Sequence, residues 1–365
     1  MKTLFVGDVS PTSRNSELFK SKGINALFSD TLSLFEGNDI NMINLECAMT
    51  DSDRRIAKVG PALKAPKETA EVLRDIGVTV CGLANNHFFD FGKRGAADTI
   101  AALENVGLLY TGYGKNRDDA TKPLIIEKNG ERVCIIAVCE HEYSYALDER
   151  EGCHGFDPFE TPLLVREEKA KTDRVVVLYH GGKEFCRYPS PRLLSACRAT
   201  AKSGADLIIC QHSHCIGCYE NFEGCHILYG QGNFHFTKRK EDQDLPEMWF
   251  SELAVKYDTE TGEIEFIPTV ECGAGIEIAK GEEKKRLLSE FKERNEHLAD
   301  GTWYNGWVDF CEENREVYTR TVVNVGAVGE DKHFERFAHY LDCEAHRDVW
   351  QELFKTHNHR NEVEK

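Results

Sequence analysis

The most constraining feature of this sequence is a set of short apolar segments that each end abruptly in polar, metal-capable side chains. The clearest is the apolar run 78–83, which leads directly into Ala-Asn-Asn-His-Phe-Phe-Asp-Phe-Gly at 84–92. Burying such polar groups without partners would cost about 1–3 kcal/mol each. In open α/β sheets, ligands and metals bind at the carboxyl ends of strands. The segment is therefore either part of a site, or Asn85 or Asp90 caps the helix that follows; alone it favours neither interpretation.

Length and charge limit the class of protein. The chain has 365 residues, which suggests one large domain with an appendage, or two domains. Its net charge of −17 argues against binding nucleic acid or an anionic membrane surface, because both require a basic face. No apolar window approaches the ~20 residues of a transmembrane helix, and the N-terminal apolar run is too short for a signal peptide. We therefore expect a cytoplasmic protein without a membrane segment.

The 14 cysteines are expected to be reduced thiols, because the chain shows no export signal. Several lie in apolar runs, where Cys behaves as a small buried hydrophobic residue. The densest group, Cys210, Cys215, Cys218 and Cys225, contains one Cys-x-x-Cys pair, formed by Cys215 and Cys218, and no second pair follows at finger-like spacing. We favour a hairpin here over a structural zinc site, and the same pattern argues against a thiol-redox protein.

The order of predicted elements indicates an α/β fold that becomes antiparallel in its second half. We predict buried strands at 3–7, 39–45, 78–83, 108–112, 174–179 and 206–210, with helical patterns at 16–37, 67–76, 95–106 and 191–203. The Asn129-Gly130 pair between two apolar runs is a strong hairpin signal. Further antiparallel pairs are expected for 217–222 with 226–229 and for 251–257 with 263–268. We divide the chain into a domain at 1–274 and a mainly helical extension at 275–365.

Five predicted strand ends carry metal-capable side chains. They are Asp8, Glu46, Asn86 with His87, His180, and His212 with His214. Residues i and i+2 of an extended chain point the same way, so His212 and His214 can face one cavity. Carboxylate, imidazole and amide ligands suit divalent Zn, Mn or Fe, and a bridging carboxylate fits two ions better than one. Such two-metal sites favour attack of a hydroxide on a phosphoryl group.

Each of these residues also has a purely structural interpretation. Taken singly, Asp8 and Glu46 are typical of helix caps or turn carboxylates. His180 can be a strand-end histidine whose two following glycines merely turn the chain. The recurrence of the pattern at five strand ends is what favours a site.

In this order, the motifs resemble the bacterial capsule-synthesis CapA family, which is associated with poly-γ-glutamate capsule biosynthesis and belongs to the calcineurin-like metallophosphoesterase superfamily. The resemblance spans residues 3 to 237. The motifs that carry it are Val6-Gly7-Asp8, Asn44-Leu45-Glu46, Ala84-Asn85-Asn86-His87 with Asp90 and Gly92, His180-Gly181-Gly182 with Glu184, Gly204-Ala205-Asp206, His212-Ser213-His214 and Tyr229-Gly230-Gln231-Gly232-Asn233-Phe234.

The resemblance implies a four-layer α/β/β/α metallophosphoesterase-like sandwich with a C-terminal helical appendage and a metal site at the strand ends. It also implies that Asp8 and His214 bind one ion and that Glu46 bridges to the other. The second ion would be held by Asn86, His180 and His212. His87 would not be a ligand but the general acid that protonates the leaving oxygen or stabilises its charge.

The chain departs from the family pattern at four positions. Ser10 stands where the superfamily has a histidine, so the first ion loses a ligand, and Glu46 replaces the usual bridging aspartate. Gly181 stands where the family usually has tryptophan, and His235 where it usually has an apolar residue. Family members are often exported or membrane-anchored, yet this sequence shows no such segment.

Two functions follow as hypotheses. The first is a metal-dependent hydrolase of a phosphoester or related bond, in a small-molecule or polymer substrate with phosphate or carboxylate groups. The alternative is a non-catalytic accessory or binding protein for an acidic polymer or a capsule-synthase partner, which the missing histidine at Ser10 supports. Specificity is expected from the loops 140–157 and 237–247. The helical extension fits a lid over the site or a contact in a homo-oligomer, and the sequence does not choose between them.

Overall fold

The structure is a computed structural model that describes residues 1–12, 14–140, 143–237, 245–327 and 330–360. Its strands, numbered along the chain, are β1 (Lys2–Val9), β2 (Ile40–Leu45), β3 (Ala48–Met49), β4 (Lys64–Ala65), β5 (Val80–Gly82), β6 (Leu109–Thr111), β7 (Tyr113–Gly114), β8 (Leu124–Lys128), β9 (Glu131–Cys139), β10 (Gly152–Cys153), β11 (Arg174–His180), β12 (Leu207–Gln211), β13 (Tyr219–Phe222), β14 (Cys225–Leu228), β15 (Asn233–His235), β16 (Ser251–Asp258), β17 (Ile264–Cys272) and β18 (Gly275–Ile278).

The α-helices are α1 (Ser16–Lys20), α2 (Ile24–Phe28), α3 (Thr69–Asp75), α4 (Gly92–Asn105), α5 (Arg117–Ala120), α6 (Glu160–Lys169), α7 (Pro191–Lys202), α8 (Gly281–Asp300), α9 (Trp303–Glu313), α10 (Arg315–Ala327), α11 (Asp331–Asp342) and α12 (Glu344–Arg360). Two short 3-10 helices span Ser29–Leu34 and Glu247–Phe250.

The first large sheet has the strand order β18-β17-β16-β1-β2-β5-β6, with β15 alongside β1. Its strands β1, β2, β5 and β6 are parallel. Strand β16 pairs antiparallel with β1, and β17 and β18 extend the sheet by further antiparallel pairs. The parallel strands are buried on both faces, which is why they are mostly apolar and do not alternate between apolar and polar residues. The antiparallel pairing predicted for 251–257 with 263–268 is confirmed by β16 and β17.

The second large sheet has the order β13-β14-β12-β11-β9-β8. Its centre is parallel, and a hairpin closes each edge. Asn129 and Gly130 have φ values of 55° and 81°, the left-handed pair of a type I′ turn, and β8 pairs with β9, so the predicted hairpin is confirmed. The β13–β14 hairpin is confirmed as well, within the cysteine-rich segment. No disulfide joins any of the 14 cysteines, which all lie in the described part of the chain, and all but Cys272 are buried.

The alternation of side chains along β11 shows how the layers stack. Val176 and Leu178 belong to the core that also contains residues of the first sheet, such as Met42. Val177 and Tyr179 point the other way and pack with α6 and α7. Because α1 to α4 cover the outer face of the first sheet, the architecture is the predicted four-layer α/β/β/α sandwich.

The predicted helical stretch at 16–37 is wrong as one continuous element. It consists of α1, α2 and a 3-10 helix, because Lys22 and Ser29 have left-handed backbone conformations with φ values of 54° and 44°. Such conformations cannot continue a right-handed helix.

The C-terminal segment is helical from Gly281, and β18 (Gly275–Ile278) still pairs with β17. The predicted boundary at 274/275 therefore cuts through the first sheet, whereas the division into two domains stays a prediction. A separate small core joins α9, α10 and α12. None of the helices in the described part of the chain has both the length and the apolar character needed to cross a bilayer.

Candidate metal centre

The two sheets bring all the predicted strand-end residues to one edge of the sandwich. Asp8 lies near the end of β1 and Glu46 directly follows β2, both in the first sheet, whereas His180 ends β11 in the second. Nδ1 of His180 lies 3.8 Å from Oδ1 of Asp8, and its Nε2 lies 3.5 Å from Oε1 of Glu46. The carboxyl ends of the parallel strands in both sheets thus converge on one site.

Among the described residues, two groups of three side chains could each hold a metal ion. One group is Asp8, Glu46 and His180, and the other is Glu46, His212 and His214, with the ligand atoms of each group within 4.8 Å of one another. Glu46 belongs to both groups, as expected of a bridging carboxylate. The implied assignment, in which His214 shares an ion with Asp8 and His180 shares one with His212, stays a prediction: Nδ1 of His214 lies 3.5 Å from Oδ2 of Asp8, and the ring centroids of His180 and His212 are 4.9 Å apart.

Asn86 and Asp8 are tied into this cluster by hydrogen bonds. Oδ1 of Asn86 lies 2.9 Å from Nε2 of His180, so these two predicted ligands are direct neighbours. Asn44 donates from Nδ2 to Oδ1 of Asp8 at 2.7 Å and lies 3.0 Å from Nδ1 of His180. Sequence analysis did not select Asn44, although its position two residues before Glu46, on the same side of β2, was the available signal.

Glu46 is the residue whose surroundings fit a metal best. Its side chain is completely buried, and no N–H or O–H group in the described ranges donates a hydrogen bond to either carboxylate oxygen. Burial and the neighbouring Asp8 carboxylate raise the pKa of Glu46 well above its ordinary value. A buried carboxylate without donors is unfavourable unless a cation compensates it, so the residues present fit divalent ions.

His212 and His214 face the site for a reason other than the one we predicted. Both have left-handed backbone conformations, with φ values of 82° and 53°, so the segment after β12 is a tight turn rather than an extended chain. The i, i+2 alternation of a strand therefore does not apply. Non-glycine residues in this conformation are strained, which is common where a side chain must be aimed at a functional site.

A hydrogen bond orients the ring of His214, and burial keeps the ring of His212 neutral. Nδ1 of His214 lies 2.8 Å from Oδ1 of Asn233, whose Nδ2 donates to the backbone oxygen of Trp249 at 3.0 Å. This fixes the His214 ring and leaves Nε2 4.0 Å from Oε1 of Glu46. Burial lowers the pKa of His212 to about 3, so the ring is neutral at physiological pH.

His87 belongs to a separate group beside the cluster. Its Nδ1 lies 2.7 Å from Oδ2 of Asp90, and Lys58 donates from Nζ to Oδ1 of Asp90 at 2.5 Å and to the backbone oxygen of Asn86 at 2.9 Å. Burial and the charge of Lys58 lower the pKa of His87 to about 4. Asp90 therefore orients a neutral His87 next to Asn86.

Lys58 is a site residue that sequence analysis missed. It lies in the polar segment 51–60, which is largely exposed, but its own side chain is only 5 % exposed because it reaches inward to Asp90. A single lysine in a polar loop carries no signal of this role, which depends on the path of the loop.

The structure explains two of the departures from the family pattern. A Cβ atom on Gly181 would lie 2.5 Å from Oε2 of Glu140, so Glu140 occupies the space that a side chain at 181 would need. His235 points away from the cluster and packs against the rings of Phe19 and Phe28, at centroid distances of 5.1 and 5.2 Å. His235 therefore serves as a core aromatic residue. Ser10 is buried and contributes to neither possible metal group.

The predicted specificity loops are described in part. Residues 141–142 of the first and 238–244 of the second lie outside the described residues. In the first loop, the ring of Tyr143 lies under Nζ of Lys58, 5.9 Å from the ring centroid, and its hydroxyl accepts a hydrogen bond from the backbone N–H of Val59 at 3.2 Å. The first loop thus reaches the His87 group.

Comparisons with known proteins agree with the motifs. The family model described as bacterial capsule synthesis protein PGA_cap matches residues 2–238. The capsule biosynthesis protein CapA of Bacillus anthracis is 30 % identical over 242 residues, covering 64 % of this chain and 59 % of that protein. The PGA biosynthesis protein CapA of Bacillus subtilis (strain 168) is 30 % identical over 238 residues, covering 64 % of this chain and 63 % of that protein.

A more distant relative is the probable polyglutamine synthesis accessory protein of Mycobacterium tuberculosis, which is 26 % identical over 208 residues, covering 53 % of this chain and 55 % of that protein. The chain thus spans about six tenths of the length of the two CapA relatives. The match to the family model covers well over half of the chain and includes every strand end of the candidate metal centre. This chain therefore belongs to the PGA_cap family of bacterial capsule synthesis proteins.

Proposed function

We propose that this chain is a metal-dependent hydrolase of capsule or poly-γ-glutamate metabolism that cleaves a phosphoester or related bond. The observation that carries the proposal is Glu46, a buried carboxylate that lacks hydrogen-bond donors and belongs to both possible metal groups. Asp8 and His180 would complete one group and His212 and His214 the other, with Asn86 as a further ligand beside His180. Divalent ions such as Mn, Zn or Fe would supply Lewis acidity and a nucleophile from water at neutral pH.

The role of His87 follows from its hydrogen bond to Asp90. With Nδ1–H donating to the Asp90 carboxylate, Nε2 is the atom available to exchange a proton with a reacting group. Nε2 would take up a proton from the attacking water, Asp90 would stabilise the resulting imidazolium, and the charge of Lys58 would make that imidazolium a stronger acid toward the leaving oxygen. His87 is thereby suited to transfer a proton to the leaving oxygen.

A second candidate function is a non-catalytic accessory protein that holds an acidic polymer or a synthase partner. Two observations favour it. Ser10 offers no ligand where the superfamily has a histidine, and one relative is named as a probable accessory protein. This function requires the fold and an anion-binding site but no turnover.

Metal content per chain, measured by elemental analysis, tests the proposal. We expect about two equivalents in the wild-type protein loaded with Mn or Zn, and a sharp fall in Glu46→Gln, which keeps the side-chain shape but removes the charge. His212→Ala should also lose metal. His226→Ala is the matched control, because His226 in β14 contacts Tyr219 and Gly262 rather than the cluster.

Hydrolysis of a chromogenic phosphoester separates the two candidate functions. If the metal-loaded wild type turns over the ester and His87→Ala is at least about 100-fold slower with unchanged metal content, the hydrolase is supported. Metal binding without turnover of any ester, with His87→Ala behaving as the wild type, would favour the accessory function. Absence of bound metal after loading would overturn the metal-dependent proposal altogether.

A further inference from the structure

The helical extension lies outside the residues that the family model matches, yet it packs against the metal centre. The match ends at residue 238, and α8 to α12 follow it. Three of these helices share a core with Cys186, a residue of the segment that follows His180. The extension therefore lies against the chain that leaves a candidate metal ligand. The other residues of this core, which come from α9, α10 and α12, are Trp307, Cys311, Tyr318, Val349 and Leu353.

The backbone on both sides of Gly181 is held by one glutamate, Glu140. Its backbone N–H donates to the backbone oxygen of His180 at 3.0 Å, and its Oε2 accepts a hydrogen bond from the backbone N–H of Gly182 at 2.9 Å. The space between these two bonds is full, because a Cβ atom on Gly181 would lie 2.5 Å from Oε2 of Glu140. The position of this carboxylate therefore determines how the chain leaves His180.

A salt bridge fixes the carboxylate of Glu140. Nη1 of Arg192, the second residue of α7, lies 2.5 Å from Oε1 of Glu140, and the hydroxyl of Tyr179 donates to the same oxygen. Both bonds go to Oε1, which leaves Oε2 for Gly182. The Glu140 side chain is only 1 % exposed, so water competes little with these bonds. Arg192 therefore helps to decide where the carboxylate lies.

Asp348 of α12 fixes the guanidinium group in turn. Nε of Arg192 lies 3.0 Å from both carboxylate oxygens of Asp348, and Ser190 donates from Oγ to Oδ2 of Asp348 at 2.6 Å. Ser190 is also the N-cap of α7, because its Oγ accepts a hydrogen bond from the backbone of that helix at 3.1 Å. The contacts therefore run without a gap from α12 through Arg192 and Glu140 to His180.

We propose that Asp348 of α12 is a positioning residue for the candidate metal ligand His180. It acts through Arg192 and Glu140. Without the charge of Asp348, the guanidinium group keeps one carboxylate partner instead of two, so the Glu140 carboxylate and the turn that it holds become less fixed. His180 is then less well oriented toward an ion, which weakens metal binding. This inference rests on the proposed function, since it takes His180 to be a metal ligand.

The metal affinity of the full chain tests the inference. Metal-free wild type and Asp348→Asn, which keeps the shape of the side chain but removes its charge, are titrated with Mn²⁺ in a calorimeter. We expect Asp348→Asn to bind one of the two ions about ten-fold more weakly, as is typical when a residue that supports a ligand is changed. The number of ions bound at saturation should stay the same.

Glu352→Gln is the matched control. Glu352 lies one turn further along α12 and is similarly buried, but it accepts hydrogen bonds from the hydroxyl of Tyr304 at 2.6 Å and from Nε1 of Trp307 at 3.3 Å, both in α9. This substitution weakens the packing of the same helix, and its affinity for Mn²⁺ should equal that of the wild type. All proteins are compared at a temperature at which circular dichroism shows them to be folded.

A double-mutant cycle tests the route through Glu140. If Asp348 acts through this carboxylate, Asp348→Asn should have little further effect on Mn²⁺ affinity in a chain that already carries Glu140→Gln. Full, additive losses from the two substitutions would mean that Asp348 acts by another path, and would overturn the inference. Equal Mn²⁺ affinity in the wild type and Asp348→Asn, or equal losses in Asp348→Asn and Glu352→Gln, would overturn it as well.

Hydrogen exchange in the metal-free protein separates this inference from the proposed function. The backbone N–H of Gly182, which donates to Glu140, should exchange about ten-fold faster in Asp348→Asn than in the wild type or in Glu352→Gln. A wild type that binds no metal overturns the proposed function, and exchange then decides alone. Faster exchange in Asp348→Asn would support the link from α12 to the turn after His180, and unchanged exchange would overturn it.

Discussion

Two clusters of buried carboxylates, one around Arg192 and one around Glu46, look alike in the sequence. The structure shows that they differ in what compensates their negative charge. Around Arg192, the carboxylates of Glu140 and Asp348 are paired with a cation supplied by the chain itself. Around Glu46, two buried carboxylates, Glu46 and Asp8, lie next to histidines, Asp8 also accepts a hydrogen bond from Asn44, and no lysine or arginine in the described part of the chain forms an ion pair with either carboxylate. The difference teaches that the first network is compensated within the fold, whereas the second leaves two buried carboxylates without a cation, which is the charge that the proposed metal ions would supply.

The largest expected effect is on the paired network. Arg192→Ala leaves two buried carboxylates without a cation and should lower the free energy of unfolding by about 3–5 kcal/mol. Urea denaturation measures this. Arg198→Ala is the matched control, because Arg198 lies in the same helix α7 as Arg192 but is partly exposed and pairs with Glu220 of β13. This substitution should lower the free energy of unfolding by about 1 kcal/mol or less. Equal losses of unfolding free energy in Arg192→Ala and Arg198→Ala would contradict the view that the Arg192 network stabilises the fold more than a surface ion pair does.

A smaller loss is expected where Glu140 packs on the chain after His180. Gly181→Ala places a methyl group 2.5 Å from a carboxylate that Arg192 and Gly182 hold in place, so we expect a loss of about 1–3 kcal/mol. Thermal and urea unfolding give the value. Gly130→Ala is not a suitable control because of its positive φ, whereas Gly326→Ala, in α10, meets no neighbouring atom and should not destabilise the protein. Retention of full stability in Gly181→Ala would show that Glu140 is free to move.

Substitution at Glu46 should change the free energy of unfolding in the opposite direction to substitution at Arg192. Glu46→Gln removes a buried charge that has no hydrogen-bond donor, so in the presence of a chelator it should raise the free energy of unfolding by about 1–2 kcal/mol. With Mn or Zn added, the wild type should gain stability and the variant should not. Thermal unfolding with and without metal provides both comparisons. A variant less stable than the wild type in chelator would mean that Glu46 is part of the fold in the way Arg192 is.

The smallest effect concerns a histidine that is not part of either group. His235→Phe replaces an imidazole whose pKa burial lowers to about 4 and which packs between two phenylalanine rings. We expect a change of less than about 1.5 kcal/mol, together with unchanged metal content by elemental analysis. His214→Phe is the contrasting substitution and should lose metal. Loss of metal in His235→Phe would contradict the assignment of His235 to the core.

Sequence reasoning identified the candidate site because the signal is local. A polar side chain at or just after the end of an apolar strand is visible in the sequence, and the seven such side chains lie at one edge of the two sheets: Asp8, Glu46, Asn86, His87, His180, His212 and His214. The hairpin at Asn129-Gly130 was equally accessible, because Asn-Gly is the residue pair that most readily adopts the two left-handed conformations of a type I′ turn.

Local patterns were less informative where the backbone leaves regular structure. The stretch 16–37 has a helical rhythm, but two left-handed residues divide it. The same conformation at His212 and His214 means that both rings face the site without strand alternation. A left-handed conformation in a residue other than glycine depends on the surrounding packing, so a residue pattern does not reveal it.

The sequence by itself determined the two-sheet α/β class, the family and the set of candidate ligands, since each depends on the order of short motifs along one strand and the turn after it. Only the tertiary structure decided which ligands share Glu46, that Lys58, Asn44 and Asn233 support them, and that α12 is joined to the segment after His180. Those relations join residues as far apart as Glu140 and Asp348, whose meeting depends on the folded chain as a whole.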